Sequence, residues 1–272
     1  MILQYIRRLR HGPLKFLNPL WLFLGKQYRK IVSKINFSVK HRIGIYGPFK
    51  INARFTFSNF ENWGGGHNNG FEDCVEACRN KKCIIDVGAH IGLVSLPIAS
   101  VMPTDGILIS FEPGSINRKL LEYNVKINGF NKKIRVESHL VGEKKADKVS
   151  FFEMNEPAGM NSLAEISEKY KCVTKSQVCL DDYCKENQLC PDVIKIDVEG
   201  AELNVLKGAK DIIIKCKPQI FLSVHPKQIK MLGHSLEELT DFIKSLNYNI
   251  SQTDGSRVTE LKLCEYLLNP KI

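Results

Sequence analysis

Two acidic residues, Asp86 and Glu112, lie at the ends of two successive apolar runs, and Asp86 begins a segment that contains two glycines. The segment DVGAHIG (86–92) ends the apolar run that begins at Cys83, and Glu112 ends the next apolar run. Small residues between a strand and a helix allow a tight turn and the close approach of a ligand. An acid at the end of the second strand can accept hydrogen bonds from both ribose hydroxyls. The pattern predicts a nucleoside site whose contacts are Asp86, Gly88, His90, Gly92 and Glu112.

The acidic residue at the first position of this loop indicates which nucleoside the site would bind. The loop reads D-x-G-x-x-x-G rather than G-x-G-x-x-G, and its first residue is Asp86. This carboxylate would repel a pyrophosphate but suits the charged methionyl amine of S-adenosylmethionine. The loop therefore favours a methyl donor over NAD. The structural alternative is an ordinary turn followed by a solvated Glu112.

A second segment, VIKIDVEGAELNVLKGA (193–209), places three charged residues after a short apolar strand. Lys195, Asp197 and Glu199 would lie at the carboxyl end of that strand, the edge where open α/β sheets bind ligands. Charged groups at a buried sheet end cost free energy unless they are paired or used in chemistry. The segment predicts a reactive or ligand-binding edge.

These motifs resemble one family when they are taken together. IIDVGAHIG (84–92), SFEP (110–113), CLDDY (179–183), the segment 194–209 and SVHP (223–226) resemble the FkbM family of S-adenosylmethionine-dependent methyltransferases. The resemblance covers roughly residues 70–270. It implies a class I methyltransferase (Rossmann-like) fold, with a mostly parallel seven-stranded sheet, an antiparallel last strand and helices on both faces. It also implies O-methylation, often of a sugar hydroxyl on a glycan, glycolipid or natural product.

The resemblance assigns roles to single residues where the motifs match. The segment 86–92 and Glu112 match the cofactor site, and Asp197 and Glu199 match the acidic pair after the central strand. His225 matches the histidine that ends the next strand. His90 replaces the Asn that is common in the family. Val141 replaces the small Ala that is frequent beside the adenine.

Methyl transfer to a hydroxyl needs a proton acceptor, and three residues are candidates. We expect Asp197, Glu199 or His225 to act as the base, with His225 first because its ordinary pKa suits the role. Other roles remain open: His225 can cap its strand, Asp197 can contact the methionyl part of the donor, and Glu199 can pair with Lys195. Carboxylates and imidazole can also ligate a divalent metal, but the prediction is that no metal is bound.

Two loops are candidate lids over the acceptor. The glycine-rich loop 63–70 and the segment 157–162 carry side chains that can bind sugar hydroxyls. These candidate substrate-binding residues are His67, Asn68, Asn69 and Asn161. A plain glycine connector is the alternative for the first loop.

Strands alternate with helices along most of the chain, which predicts a parallel sheet covered on both faces. The strands are expected at 83–88, 107–112, 134–139, 149–154, 193–197, 219–225, 248–252 and 262–268. The helices are expected at 71–79, 92–101, 115–128, 201–214 and 235–246, the last one opened by a capping box.

Residues 1–60 differ from the methyltransferase domain predicted at 61–272. They contain twelve Lys or Arg and no Asp or Glu, whereas the other 27 basic residues face 29 acids. A strict alternation predicts a strand over 49–57. Residues 1–36 mix bulky apolar and basic residues, which is typical of a segment that lies on an anionic membrane or packs on a protein partner.

The sequence also bears on location and on rival functions. No apolar run is long enough to span a bilayer and no signal peptide is evident, so we expect a cytoplasmic protein, either free or peripheral on the inner face of a membrane. Nine cysteines without a CxxC pair predict free thiols. The basic arm keeps an RNA methyltransferase open, although no N/D-P-P-Y/F motif follows the central strand. A non-catalytic, membrane-docked binding module is the other alternative.

Overall fold

The computed structural model describes residues 9–10, 12–32, 37–154, 156–157, 161–163 and 168–271. The chain divides into two compact units, Met1–Trp63 and Gly64–Ile272. The remaining residues of the arm and of the segment 157–162 lie outside the described residues. No helix in the described ranges is long and apolar enough to cross a membrane.

The first unit contains a helix and a two-stranded antiparallel sheet. Helix α1 spans Asn18–Val32, and strands β1 (Ser38–Ile43) and β2 (Tyr46–Asn52) pair with each other. The fully buried side chains of Ile43 and Ile51 belong to the core of this unit. Apolar burial therefore holds together a unit that is rich in basic residues.

The strand predicted over 49–57 is wrong beyond Asn52. A 3-10 helix, Ala53–Phe55, follows β2, and the side chain of Asn52 accepts a hydrogen bond from the backbone N–H of Arg54 at 3.1 Å. An Asn side chain that satisfies a nearby backbone donor favours a turn over an extended strand. The local cap therefore ends the strand although the apolar alternation continues.

The second unit is an α/β domain. Its strands are β3 (Cys83–Val87), β4 (Ile107–Phe111), β5 (Ile134–Glu137), β6 (Leu140–Val141), β7 (Ala146–Glu153), β8 (Lys171–Val178), β9 (Val193–Ile196), β10 (Gln219–Val224), β11 (Tyr248–Gln252) and β12 (Cys264–Pro270). Its helices are α2 (Phe71–Ala77), α3 (Ser95–Val101), α4 (Ser115–Ile127), α5 (Leu180–Glu186), α6 (Glu202–Lys207), α7 (Lys210–Cys216), α8 (Pro226–Met231) and α9 (Leu236–Ser245).

Seven of these strands form the main sheet, in the order β11-β12-β10-β9-β3-β4-β5. The pairs β10–β9, β9–β3, β3–β4 and β4–β5 are parallel, and β12 is antiparallel to both of its neighbours. This is the sheet that the resemblance implied, including its antiparallel last strand. After β3, the chain adds β4 and then β5 on one side of β3, and it later adds β9 and β10 on the other side. The carboxyl ends of β3 and β9 consequently form a topological switch point, where open α/β sheets bind ligands.

A second, three-stranded sheet has the order β6-β8-β7. Strand β7 covers the strand predicted at 149–154 but begins three residues earlier, and it pairs antiparallel with β8. Ser162 forms an isolated bridge with Phe152 of β7. This bridge holds the described end of the segment 157–162 against the sheet.

Two predicted helices have different limits in the structure. The helix expected at 92–101 begins at Ser95, because His90 and Gly92 have positive φ angles (52° and 94°) that do not belong to a helix. The helix expected at 201–214 is divided into α6 and α7. The division falls at Gly208, where an added Cβ would lie 2.0 Å from the carbonyl oxygen of Gly142.

One cysteine pair departs from the expectation of free thiols. Cys190 and Cys216 form a disulfide, with a Cα–Cα distance of 5.6 Å. Cys216 ends α7 and Cys190 lies in the connection that leads to β9, two elements that are distant in sequence but adjacent in space. Seven further cysteines are free. Spacing alone did not indicate this pair because the contact depends on the tertiary fold.

Candidate active site

A pocket of about 590 Å³ lies at the carboxyl ends of β3, β4 and β9. Its walls include residues that end or follow these three strands and both residues of the short β6. They include Gly88, His90, Glu112, Val141, Asp197 and Glu199. The structure therefore brings most of the predicted cofactor residues and the acidic pair to one pocket.

Glu112 is held at the pocket by backbone donors. Its two carboxylate oxygens accept hydrogen bonds from the backbone N–H groups of His90 at 2.8 Å and Gly114 at 2.7 Å. Burial raises the pKa of Glu112 to about 8, although these two bonds oppose the shift. The side chain of Asn117 donates a further hydrogen bond to this carboxylate. The geometry suits an acid that receives both hydroxyls of a ribose.

His90 contributes a ring to the pocket wall. Its φ of 52° confirms that the turn needs a positive φ at this residue. Burial lowers the pKa of the ring to about 4, so the imidazole is neutral at pH 7. Its Nε2 atom is buried without a hydrogen-bond partner in the described structure. Such an orphaned polar atom marks a place where a ligand group can bind.

Asp86 lies behind the pocket rather than on its described wall. Its side chain is buried and accepts a hydrogen bond from the hydroxyl of Ser95 at 2.6 Å. Burial raises its pKa to about 6, while the Ser95 hydrogen bond and the Lys195 charge oppose the shift. In the described structure this carboxylate supports the turn through Ser95, and its contact with a methionyl amine stays a prediction.

The two glycines of the loop serve the packing of the protein. A Cβ added to Gly88 would lie 1.8 Å from the backbone oxygen of Asp197, and one added to Gly92 would lie 2.9 Å from a methyl group of Leu121. Both residues have positive φ angles. Gly88 is therefore required because the backbone at the end of β9 approaches it closely. The sequence predicts that a ligand occupies this space instead.

We expect Gly88→Ala to unfold the domain or to destabilise it by roughly 3 kcal/mol or more, because its Cβ would overlap backbone that cannot move aside. The measurement is the free energy of unfolding in urea. Gly129→Ala is the matched control: Gly129 also has a positive φ (77°), but nothing lies within 4 Å of an added Cβ. It should cost only about 1 kcal/mol. Equal effects of the two variants would contradict the packing argument.

Apolar side chains line another side of the pocket. Leu140 and Val141 are buried, and His139 precedes them in the wall. Val141 pairs with Val178 of β8, which fixes the short strand β6. A flat, mostly apolar surface of this kind suits an adenine ring, the role that the resemblance assigned to Val141.

A buried charge network lies under the end of β9. Lys195 Nζ donates to the hydroxyl of Ser223 at 2.6 Å and lies 3.4 Å from Asp197 and 3.5 Å from Glu265. Burial alone would raise the pKa of Asp197, but the charges of Lys195 and His225 outweigh it and lower the pKa. Asp197 is therefore an ionised carboxylate on the pocket wall.

His225 follows β10 and is surrounded by carboxylates. Its Nδ1 lies 2.7 Å from Glu202, and its Nε2 lies 3.6 Å from Asp197 and 3.7 Å from Glu199. Burial lowers the pKa of the ring, but the Glu202 hydrogen bond and the charges of Asp197 and Glu199 raise it to about 9. At pH 7 His225 carries a proton and cannot accept another. The role of His225 as the base stays a prediction, and this raised pKa favours one of the neighbouring carboxylates as the proton acceptor.

Among the groups around His225, Glu199 is a carboxylate that ionises near neutral pH, as a proton acceptor must. Burial raises its pKa to about 7, against the opposing charge of His225. Its Oε2 accepts a hydrogen bond from the side chain of Gln228 at 3.1 Å. Its backbone has a positive φ of 51°, and Ser162 donates its hydroxyl to the Glu199 carbonyl at 3.0 Å. A non-glycine residue held in this conformation is often functional.

Asp197, Glu199 and His225 also form a set of atoms that could hold a metal. Their ligand atoms lie within 4.8 Å of one another. Glu202 on Nδ1 would orient the imidazole toward such an ion, as carboxylates do in many metal sites. The same atoms serve equally to hold and move a proton.

The predicted acceptor residues fall in two places. Asn161 lies on the pocket wall, where its side chain accepts a hydrogen bond from the backbone of Met154 at 3.2 Å. Asn69 instead accepts a hydrogen bond from the Cys264 thiol at 3.1 Å, and neither Asn68 nor Asn69 is among the described residues of the wall. His67 lies in the 3-10 helix Gly66–Asn68. Of the three predicted Asn residues, Asn161 alone lies on the described wall of the pocket.

Glu202 and Glu265 are polar residues at the site that the sequence argument did not use. Both side chains are buried, at 0% and 2% exposure. Glu265 lies within the apolar strand β12, and a charged residue in such a strand can be recognised from the sequence as a candidate functional residue. Glu202 is the first residue of α6, directly after the turn that contains Glu199, and its carboxylate lies 2.7 Å from His225 Nδ1.

Comparison with known proteins gives a family match and several similar structures. The model of the family described as Methyltransferase FkbM domain matches residues 86–250. The AMB antimetabolite synthetase AmbE of Pseudomonas aeruginosa is 27% identical over 205 residues, which are 62% of this chain and 10% of that protein. This chain therefore spans only a small part of that relative.

Two solved structures illustrate the likeness. Methyltransferase FkbM from Methylobacillus flagellatus KT is 23% identical, with a TM-score of 0.46, and the match covers 70% of this chain and 43% of that one. An O-methyltransferase from Bacillus cereus in complex with SAH is 9% identical, with a TM-score of 0.43, and covers 76% of this chain and 82% of that one.

Proposed function

Because the chain belongs to the FkbM methyltransferase family and uses S-adenosylmethionine, we propose that it methylates a hydroxyl oxygen of a sugar, on a glycan or glycolipid. One observation carries this proposal: the carboxylates of Asp197 and Glu199 line the same pocket as Glu112. An acceptor hydroxyl needs a proton acceptor close to the donor, and a sugar hydroxyl needs it most because it is a weak nucleophile.

The donor set of the pocket fits S-adenosylmethionine. Glu112 would receive the ribose hydroxyls, and Leu140 and Val141 would contact the adenine. Asp197, which is ionised, would face the positively charged methionyl end. When bound, the cofactor supplies an electrophilic methyl group on its sulfonium sulfur.

The proton of the acceptor passes to a carboxylate in this proposal. Glu199, with a pKa of about 7, is suited to accept a proton near neutral pH. His225 is a positioning residue: protonated and held by Glu202, it fixes the directions of Asp197 and Glu199 through its Nε2 side. Asn161 would bind a neighbouring hydroxyl of the sugar.

The test is an acceptor screen that measures formation of S-adenosylhomocysteine with monosaccharides, nucleotide sugars, glycolipids and RNA as separate acceptors. Turnover that depends on a sugar acceptor supports the proposal. Turnover on RNA alone would establish the RNA methyltransferase alternative. Donor binding without turnover on any acceptor would favour a binding module.

A second proposal concerns a lipid-linked acceptor. Helix α1 and the turn before it carry large apolar side chains that are exposed in the structure. These are Phe16, Leu20, Leu22, Phe23, Leu24 and Ile31, with exposures between 47% and 76%. Residues 1–60 contain no acidic residue. We therefore propose that helix α1 and the turn before it lie peripherally on an anionic membrane, where a lipid-linked acceptor would be found.

We expect the double variant Phe16→Asn, Phe23→Asn to weaken partitioning onto vesicles of phosphatidylcholine and phosphatidylglycerol by about tenfold or more, since each Phe buries apolar surface. Vesicle pelleting measures it. Ile214→Asn removes an exposed apolar residue of α7, with 50% exposure, and is the control that should pellet like the wild type. Unchanged pelleting of the double variant would contradict membrane contact.

A further inference from the structure

Three arginines of the first unit line one pocket. Arg10, Arg29 and Arg54 line an open pocket of about 640 Å³, counted with its solvent-filled mouth, between α1 and the segment that follows β2. The remaining described walls are Gly25, Tyr28, Phe57, Ser58 and Asn59. Carboxylates are absent from this described lining, and the sequence has none before Glu61. The pocket therefore concentrates positive charge that the unit itself does not neutralise.

The pocket is built by specific contacts. Arg10 donates through Nη1 to the carbonyl of Phe57 at 3.3 Å. Tyr28 and Phe57 stack edge to face with ring centroids 5.0 Å apart, and the Tyr28 hydroxyl lies 2.7 Å from the Thr56 hydroxyl. Arg54 follows the Asn52 cap, which fixes its backbone. Two walls are consequently held in place without any ligand.

Arg10 and Arg29 are close enough to repel each other. Burial lowers the pKa of Arg10, and the charge of Arg29 lowers it further. The Nε atom of Arg10 is buried without a hydrogen-bond partner in the described structure. None of the ion pairs found among the described residues includes these three arginines. An arrangement that costs electrostatic energy and leaves a buried donor unused is suited to an anion.

We propose that Arg10, Arg29 and Arg54 form a binding site for a phosphate or diphosphate group. Guanidinium groups bind phosphate oxygens in a bidentate manner, and three of them match the charge of a phosphate monoester or diphosphate. A single carboxylate would leave two charges uncompensated. Ser58 and Asn59 add neutral hydrogen-bonding groups to the same wall. The phosphate can belong to a soluble phosphorylated ligand or to a lipid headgroup.

The test uses the full chain and two probes: inorganic pyrophosphate by calorimetry, and vesicles of phosphatidylcholine with or without phosphatidylglycerol by flotation. Arg29→Gln and Arg54→Gln should each weaken binding about tenfold or more, since each removes charged hydrogen bonds. Arg42→Gln is the matched control, because Arg42 is exposed in the same unit and donates to the Ile45 carbonyl instead. All three variants should bind S-adenosylmethionine like the wild type, which reports that the second unit is folded, and should keep the wild-type circular dichroism.

The two probes distinguish the sources of the phosphate. Pyrophosphate binding that only the pocket variants lose supports a soluble ligand. Binding to the anionic vesicles alone, lost in the pocket variants and kept by Arg42→Gln, supports a lipid headgroup. Absence of binding to both probes overturns the proposal. Equal weakening in Arg42→Gln also overturns it, since that result describes a diffuse basic surface.

Discussion

Glu112→Gln should weaken the binding of S-adenosylmethionine on the order of 100-fold. Glu112 offers its two carboxylate oxygens to the ribose, and hydrogen bonds to a charged group contribute about 1.5–3 kcal/mol each. The substitution keeps the volume of the side chain but leaves one acceptor for the two backbone donors of His90 and Gly114, so Glu112→Asp, which keeps both acceptors, is measured beside it, and circular dichroism checks the fold of both variants. Calorimetric titration with S-adenosylmethionine measures the change in Kd.

The pH dependence of S-adenosylmethionine binding provides a second test of the contact between Glu112 and the ribose. Because the pKa of Glu112 is raised to about 8 in the free protein, its proton must leave before both hydroxyls are accepted. The Kd of the wild type should therefore fall as the pH rises from 6 to 8 and level off above it, and Glu112→Gln should lose this part of the dependence. Glu237→Gln, an exposed position on α9, is the control. A wild-type Kd in Glu112→Gln would contradict the assigned ribose contact.

Glu199→Gln should lower kcat by roughly 10²- to 10⁴-fold, the range that a positioned proton acceptor contributes. The Kd for S-adenosylmethionine should stay near the wild-type value, because the change concerns the acceptor proton. Gln can still accept the hydrogen bond from Gln228, which keeps the side chain in place. Initial rates of S-adenosylhomocysteine formation, with an acceptor found in the screen, measure the effect, and Glu237→Gln again serves as the control.

The pH profile separates a base from a merely structural acid. With S-adenosylmethionine at saturation, so that ionisation of Glu112 does not limit the rate, the wild-type kcat/KM for the acceptor should rise with pH through about 7 as Glu199 ionises, and should fall through about 9 as His225 loses its proton. Under the same conditions Glu199→Gln should lose the acidic limb. A variant with near wild-type kcat and an unchanged acidic limb would show that another group accepts the proton.

Much of the sheet could be predicted from the sequence because its strands are short, apolar and followed by helices. Both strand-end motifs are local signals: the segment 86–92 turns tightly after β3, and Asp197 and Glu199 follow β9. Parallel strands bring these ends to one edge, so the meeting of Glu112 with the acidic pair follows from topology. The family match over residues 86–250 confirms the resemblance that these motifs carried.

The features that the sequence did not reveal depend on contacts between distant segments. The protonation of His225 depends on Glu202 and on two carboxylates that approach its other nitrogen. Gly88 is required by the backbone of Asp197, a residue more than one hundred positions away. The Cys190–Cys216 disulfide likewise joins the end of α7 to the connection before β9, which only the fold places together. The end of β2 at Asn52 is the exception, since an Asn cap is a local signal that the apolar alternation concealed.

The measurement that tests the central proposal most directly is the position of the transferred methyl group. The protein would be incubated with S-adenosylmethionine carrying a ¹³C-labelled methyl and with the sugar acceptor that gives turnover, and the product would be analysed by NMR. We predict that the label lies on a single hydroxyl oxygen of the sugar and that Glu199→Gln forms the same product far more slowly. Label on a nitrogen or carbon atom, or transfer to RNA but to no sugar, would contradict the account.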